Sequence, residues 1–160
     1  MASRDYEEFI AALNAHGVRY LIVGAHAVAY HAQPRATKDL DILFDPAPAN
    51  ARRVLEALRS FFGGKDPGFD AADLSDPRSV IQLGIAPVRI DLLSQLSGSA
   101  HFKNLWRNRV EAQFGPVKAN YLALDDLIRN KEATDRPQDR ADLRILKRAK
   151  DRIASKKRSR

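Results

Sequence analysis

The 160-residue sequence contains no cysteine and no apolar run long enough to cross a membrane. The lack of cysteine excludes disulfides, zinc–thiolate sites and cysteine nucleophiles, and it is what we expect of a protein in a reducing cytoplasm. A membrane-spanning helix needs about 20 consecutive apolar residues, and no stretch approaches that length. The first residues, MASRDYEEF, have neither the basic start nor the apolar stretch of a secretory signal. We therefore expect a cytoplasmic protein with no membrane partner.

The excess of positive charge is confined to the C-terminal end of the chain. The net charge is +7, from 27 basic and 20 acidic residues. Residues 147–160 hold eight of the basic and one of the acidic residues, which leaves nineteen of each sign in residues 1–146. We therefore predict a folded domain over 1–146 and a basic helical tail over 147–160. Such a tail can bind nucleic-acid phosphates or simply be a solvated helix end, and the sequence leaves both open.

Periodicity and turn residues predict an α/β (α+β) fold with a mixed β-sheet packed by helices. With 44% apolar residues the chain should form a core. The predicted order is a helix from Asp5 to Gly17, a strand over 18–23, a helix over 25–32, a strand over 37–44, a helix capped by Asn50, a loop over 65–79, strands over 80–85 and 88–93, a short helix ending near Trp106, strands over 110–114 and 117–122, a helix over 124–133, and a last helix from Pro137.

Two carboxylates stand one residue apart in the strand TKDLDILF. Alternation places Asp39 and Asp41 on one face, about 7 Å apart, with the apolar residues on the other face. Carboxylates that close repel each other, so a partner should offset the cost, and a hard divalent cation is one candidate. The alternative is a pair of surface acids without function.

A third carboxylate, Asp91, interrupts the apolar strand VRIDLL. It shares a face with Arg89, which allows a simple structural ion pair. It can equally be brought beside Asp39 and Asp41 by strand pairing. Three acids on one face could hold two divalent cations, which clamp a nucleotide phosphate and an attacking hydroxyl.

A glycine separates the first strand from the second helix. Gly24 lets the backbone approach a ligand, and the helix that starts at Ala25 and His26 offers free N–H groups and the positive end of its dipole. This arrangement suits a phosphate group. Many strand–helix turns carry a glycine for steric reasons only.

These features together resemble the polymerase-β-like nucleotidyltransferase superfamily. A glycine turn before a short helix, a D-x-D strand and a later single Asp form its signature. The chain is similar to small single-domain nucleotidyltransferase-like proteins of bacteria, which are related to the toxin of AbiE-type toxin–antitoxin systems and to minimal nucleotidyltransferases. The resemblance covers about residues 6 to 146 through four segments: YLIVGAHAVAYH, PRATKDLDILFDP, VIQLGIAPVRIDLLSQLSG and LDDLIRNKEATDRPQDRADL.

The resemblance implies a polymerase-β-like fold with a C-terminal helical hairpin, and a role for each matching residue. It implies that Asp39 and Asp41 bind metal ions and that Asp91 is the third catalytic carboxylate and metal ligand. The cofactor would be Mg²⁺ or Mn²⁺, as two ions, and the substrate an NTP. The implied nucleotide-binding residues are Gly24, Ala25, His26, Arg35, Thr37, Lys38, Lys131 and Arg136. Asp139 and Asp142 are expected to hold the helical hairpin together through ion pairs.

The turn departs from the superfamily pattern at one position. Its second residue is usually Gly or Ser, whereas this chain has Ala25, which lacks a hydroxyl and adds a methyl group. The backbone N–H groups remain available for a phosphate. His26 could add a polar contact, while His31 is expected to be a packed helix residue without function.

The leading functional hypothesis is metal-dependent transfer of a nucleoside monophosphate from an NTP to a hydroxyl of RNA or protein. A tRNA-like acceptor would suit the basic tail, and a toxin-like role with an antitoxin-type partner is implied by the resemblance. The alternatives are a catalytically weak or inactive module that binds nucleic acid or a partner protein, and two-metal phosphodiester hydrolysis.

Overall fold

The computed structural model describes residues 2–34, 39–85, 88–99 and 101–158. The helices are α1 (Ala2–Ala15), α2 (Gly24–His31), α3 (Pro48–Phe61), α4 (Ala71–Ser75), α5 (Phe102–Arg107), α6 (Leu124–Thr134) and α7 (Pro137–Arg158). The strands are β1 (Tyr20–Val23), β2 (Asp39–Phe44), β3 (Val80–Ile85), β4 (Val88–Leu93), β5 (Val110–Phe114) and β6 (Val117–Tyr121).

The six strands form one mixed sheet in the order β3-β4-β2-β1-β6-β5. The pairs β1–β2, β3–β4 and β5–β6 are antiparallel, whereas β2–β4 and β1–β6 are parallel. The predicted α/β class with a mixed sheet packed by helices is therefore confirmed. The parallel pairing of β2 with β4 matters most for function, because it joins strands that are about 50 residues apart in the chain.

Each face of the sheet packs against its own apolar cluster. On one face α1 and α3 cover residues such as Ile22, Ile42 and Ile90. On the other face α2, α6 and α7 cover residues such as Val23 and Leu43. Because side chains alternate along a strand, the carboxylates of β2 lie on the second face, the one that carries α2, α6 and α7.

Two local predictions were wrong. Asn50 does not cap α3, which begins at Pro48; its buried amide instead donates to the carbonyls of Arg19 (3.1 Å) and Asp45 (2.8 Å) and accepts from the Arg19 N–H (2.8 Å). Residues 65–79 are not all loop, because Asp70 and Asp73 form a reciprocal capping box that starts the five-residue α4. Asn and Asp are both typical of turns. The residue type alone therefore did not reveal the backbone hydrogen bonds of Asn50 or the helix start at Asp70.

The chain ends in an α6–α7 hairpin with a long basic helix. α7 runs without a break from Pro137 to Arg158, and Leu146 and Ala149 are buried on its inner side. The predicted division at residue 146 thus falls inside one helix, and the domain boundary stays a prediction. None of the helices in the described ranges combines the length and apolar character that a membrane span requires.

Candidate functional site

The parallel pairing of β2 and β4 places Asp41 directly beside Asp91. In this register Asp41 is the cross-strand partner of Asp91, and Asp39 is the partner of Arg89. The carboxyl groups of Asp41 and Asp91 lie within hydrogen-bonding reach of each other. The structure therefore brings the three predicted acids onto one face at the same end of the sheet.

Arg89 lies among these acids. One of its guanidinium nitrogens, Nη2, is 3.4 Å from Oδ2 of Asp91 and 3.6 Å from Oδ2 of Asp39. Asp91 therefore shows both arrangements that the sequence allowed. It is paired with Arg89, and it also lies beside the carboxylates of the D-x-D strand.

Burial and the neighbouring acids together change the protonation of Asp41. Burial, reinforced by the neighbouring carboxylates of Asp91 and Asp39, raises the pKa of Asp41 to about 6, while the positive charge of Lys131 opposes the shift. The folded protein therefore carries an unfavourable concentration of negative charge at this point, of the kind that a bound cation relieves.

Gly24 supplies the space that Asp41 occupies. Gly24 has φ +66°, and a Cβ atom built at this position would overlap Oδ2 of Asp41. The glycine thus meets two requirements, a left-handed backbone and the close approach of a carboxylate to the turn before α2. This contact gives the glycine of the turn a specific physical role beyond chain reversal.

Gly24→Ala should lower the free energy of unfolding by about 2 kcal/mol, because the left-handed backbone and the displacement of Asp41 both cost energy. Gly17→Ala is the matched control: Gly17 has the same φ of +66° but open space around its Cβ position. We expect the control to cost about 1 kcal/mol, from the backbone alone. Urea denaturation measures both, and equal losses would contradict the proposed contact with Asp41.

A cavity of about 630 Å³ opens between the Gly24 turn and the α6–α7 hairpin. Its size is that of small-molecule sites. Gly24, Ala25 and Asp41 line one wall, and Lys131 and Arg136 line the other. Four predicted nucleotide-binding residues therefore meet one predicted metal ligand in a single cavity. This arrangement depends on the helical hairpin folding back over the sheet.

Lys131 is the buried centre of an ion-pair network. Its Nζ is 3.3 Å from Oδ1 of Asp139 and 3.2 Å from Oδ2 of Asp142. Arg136 donates from Nε to Oδ2 of Asp139 at 2.8 Å, and this bond lowers the pKa of Asp139 well below its usual range. The two acids thus hold α6 and α7 together, as the sequence predicted, and they also orient both cations at the wall of the cavity.

The two histidines differ in their surroundings. The ring of His26 packs between those of Tyr6 (5.7 Å) and Phe114 (5.3 Å), and burial lowers its pKa to about 4 despite the opposing charge of Asp39. His26 is therefore neutral at neutral pH, so it offers no positive charge to a phosphate. Nε2 of His31 donates to the carbonyl of Leu122 at 2.7 Å, which gives this residue the structural role that was expected.

Three predicted nucleotide-binding residues, Arg35, Thr37 and Lys38, lie outside the described residues. Conversely, the cavity is lined by polar residues that the sequence did not single out: Gln95, Ser97, Asn130, Thr134 and Gln138. Helical spacing could have pointed to Asn130 and Thr134, which lie four residues apart on the face of α6 that carries Lys131. No comparable signal marks the residues that follow β4.

Asp41 and Asp91 can supply two carboxylate ligands to a divalent cation, but not a complete set of protein ligands. Within the described part of the chain, no three acidic or histidine side chains converge closely enough to ligate one ion by themselves. Asp41 and Asp91 adjoin, and Oδ1 of Asp91 is buried with no hydrogen-bond partner among the described residues. Mg²⁺ is commonly held by one or two carboxylates together with substrate phosphates, so the donor set fits this mode.

The model of the family described as "Nucleotidyl transferase of unknown function (DUF2204)" matches residues 2–159. A search of curated proteins finds no match to the chain.

Proposed function

Because the chain belongs to this family of nucleotidyl transferases of unknown function, we propose that it transfers a nucleoside monophosphate from an NTP to a hydroxyl acceptor, using a divalent cation. The observation that carries this proposal is the cavity in which the Gly24 turn and Asp41 face Lys131 and Arg136. A carboxylate on one wall and cations on the other match the needs of a metal–triphosphate complex.

Each wall of the cavity has a distinct task in this proposal. The N–H groups at the start of α2, beginning at Gly24 and Ala25, would bind phosphate oxygens. Lys131 and Arg136, although paired with Asp139 and Asp142, would donate hydrogen bonds to phosphate oxygens from the opposite side. Because Lys131 is fixed by two buried carboxylates, its ammonium is already positioned before the substrate arrives, which reduces the entropy cost of binding.

Asp41 and Asp91 would hold Mg²⁺ or Mn²⁺ together with phosphate oxygens, and Asp39 would join them if its contact with Arg89 opens. When bound, the cation would lower the pKa of the acceptor hydroxyl and offset charge that develops on the phosphate. Asn130, Thr134 and Gln138 already donate hydrogen bonds within the protein, to the carbonyls of Ser97 (3.0 Å) and Asn130 (3.2 Å) and to Oδ1 of Asp142 (3.4 Å). Their amide and hydroxyl oxygens, which line the cavity, would accept hydrogen bonds from the ribose or base.

The acceptor proposed here is RNA. α7 presents a series of exposed basic residues to solvent, and an RNA chain is the polyanion that such a surface attracts. These residues are Arg144, Lys147, Arg148, Arg152, Lys156, Lys157 and Arg158. A protein hydroxyl is the alternative, and a toxin-like role with an antitoxin-type partner remains a prediction.

A transfer assay tests the proposal. The protein is mixed with each α-labelled NTP, Mg²⁺ or Mn²⁺, and either total RNA or total protein extract. We expect label in the RNA fraction, and Asp41→Asn should lower it at least about 100-fold. Asp151→Asn is the matched control, since it removes the same charge from an exposed position on α7 and should retain the activity. Equal labelling with Asp41→Asn would refute the assigned site.

A second candidate, a module that binds without catalysis, is favoured by one observation: the contact of Arg89 with Asp39 and Asp91. If this contact is permanent, Asp39 and Asp91 are not available to a cation. Equilibrium binding of a nonhydrolysable ATP analogue separates the two candidates. Binding that Mn²⁺ strengthens supports the enzyme, and nucleic-acid binding without any metal-dependent nucleotide binding supports the module.

A further inference from the structure

The guanidinium of Arg89 lies between the carboxylates of Asp39 and Asp91. Its Nη2 atom contacts both carboxylates, at 3.6 Å and 3.4 Å. Charge-assisted hydrogen bonds of good geometry are about 2.7 to 2.9 Å long. Arg136 and Asp139, at 2.8 Å, show such a bond in the same protein. The contacts of Arg89 are therefore long and made by one nitrogen rather than by the two-nitrogen fork.

The hydrogen bonding around this contact is incomplete. Nε of Arg89 and Oδ1 of Asp91 are both buried, and neither has a hydrogen-bond partner in the described ranges. Buried polar atoms are normally satisfied, and leaving one unpaired carries a cost. The Arg89–Asp91 contact consequently leaves one donor and one acceptor that a different arrangement of the side chains could satisfy.

The backbone of Arg89, in contrast, is firmly held. Its strand pairs with β2 on one side and β3 on the other. The hydroxyl of Tyr6 also donates to the Arg89 carbonyl at 3.2 Å. A rearrangement here can therefore involve the side chain alone, and the Arg89 side chain is 39% exposed, so a path to solvent exists.

The geometry points to Arg89 as a built-in counter-ion that competes with the divalent cation for Asp39 and Asp91. This inference rests on the proposed function, because it assumes that the carboxylates bind a cation at all. In the empty site the guanidinium limits the repulsion among the three acids. For a divalent ion to be ligated by Asp39 and Asp91 together, the guanidinium must leave, since two cations cannot occupy one position. The affinity for metal without nucleotide is thereby lowered.

Manganese binding tests this role without reference to activity. Free Mn²⁺ is measured by electron paramagnetic resonance at pH 8 and low salt, with and without a nonhydrolysable ATP analogue. Arg89→Met keeps much of the apolar stem and removes the charge, so we expect Mn²⁺ to bind at least about tenfold more tightly. Arg89→Lys keeps the charge and should stay within about threefold of the parent chain. Arg78→Met, at an exposed pair with Asp76, is the matched control and should change nothing.

The outcomes separate this inference from the proposed function. Tighter binding by Arg89→Met, with Arg89→Lys close to the parent chain, supports the competition. Unchanged or weaker binding by a folded Arg89→Met overturns it while leaving the proposed function standing. If Arg89→Met fails to fold by circular dichroism, Arg89→Gln takes its place with the same expectation. If the parent chain binds no Mn²⁺ even with the analogue, both the inference and the proposed function fail.

Discussion

Replacing Lys131 by methionine should lower the free energy of unfolding by about 3 to 5 kcal/mol at pH 7 to 8, the cost of breaking a buried ion pair from one side. Lys131 is 6% exposed and lies between Asp139 and Asp142, which are 0% and 1% exposed. Without the ammonium, two carboxylates remain buried close together at the α6–α7 junction. Urea denaturation measures the loss.

The control for this prediction uses the same two helices. Lys150 pairs with Asp125 at 2.9 Å, but both side chains are more than half exposed. Lys150→Met should therefore cost less than about 0.5 kcal/mol. The double variant Lys131→Met/Asp142→Asn removes one of the two carboxylates left without the ammonium. It should therefore recover part of the lost free energy of unfolding. Similar losses for Lys131→Met and Lys150→Met would show that burial of the network contributes little.

The same network gives the Lys131 variant a pH dependence. Asp139 has a lowered pKa in the folded protein, so its contribution to stability is present above the pKa of the unfolded chain and is lost as the pH falls through the folded value. The penalty of Lys131→Met arises from ionised carboxylates. It should therefore be largest at neutral pH and should shrink in acid.

Replacing Asp41 by asparagine should stabilise the metal-free protein by up to about 3 kcal/mol at pH 8. The pKa of Asp41 is raised from 3.8 to about 6, so the folded state holds a proton more tightly than the unfolded state. The contribution of Asp41 to the free energy of unfolding is then fully present below pH 3.8 and is lost as the pH rises through about 6. Asparagine carries no charge at any pH and avoids that loss.

The measurement is urea denaturation from pH 3.5 to 8 in the presence of EDTA. The difference between Asp41→Asn and the parent chain should be small at the acid end and grow between about pH 4 and 7. Asp151→Asn removes the same formal charge at an exposed site and controls for the change in net charge. Parallel curves for Asp41→Asn and the parent chain across this range would contradict the raised pKa that burial and the neighbouring carboxylates give Asp41.

The position of the three acids depends partly on local sequence and partly on long-range strand pairing. The alternation of DLDILF was enough to place Asp39 and Asp41 on one face, because a strand has only two faces. It could not show that Asp91 adjoins Asp41 rather than Asp39. That register is set by the parallel pairing of β2 with β4, two segments far apart in the sequence, and only the packing of the whole sheet fixes it.

The errors in the local predictions have a related cause. Asparagine is favoured at helix N-caps, yet in the folded protein the amide of Asn50 forms hydrogen bonds with the backbone of Arg19 and Asp45. Polar side chains accept several alternative partners, and long-range contacts select among them. Apolar periodicity is more reliable because it depends only on which side of an element faces the core.

The sequence by itself determined the mixed α/β class and the order of the main elements, and it singled out the three candidate acids. It could do so because strand alternation, helical spacing and the Gly24 turn are local properties. The tertiary structure decided which charges neutralise which. It placed Lys131 between Asp139 and Asp142, Arg89 between Asp39 and Asp91, and Gly24 against Asp41. The physical reason is that ion pairing and close packing depend on distances of a few ångströms between residues that are far apart in the chain.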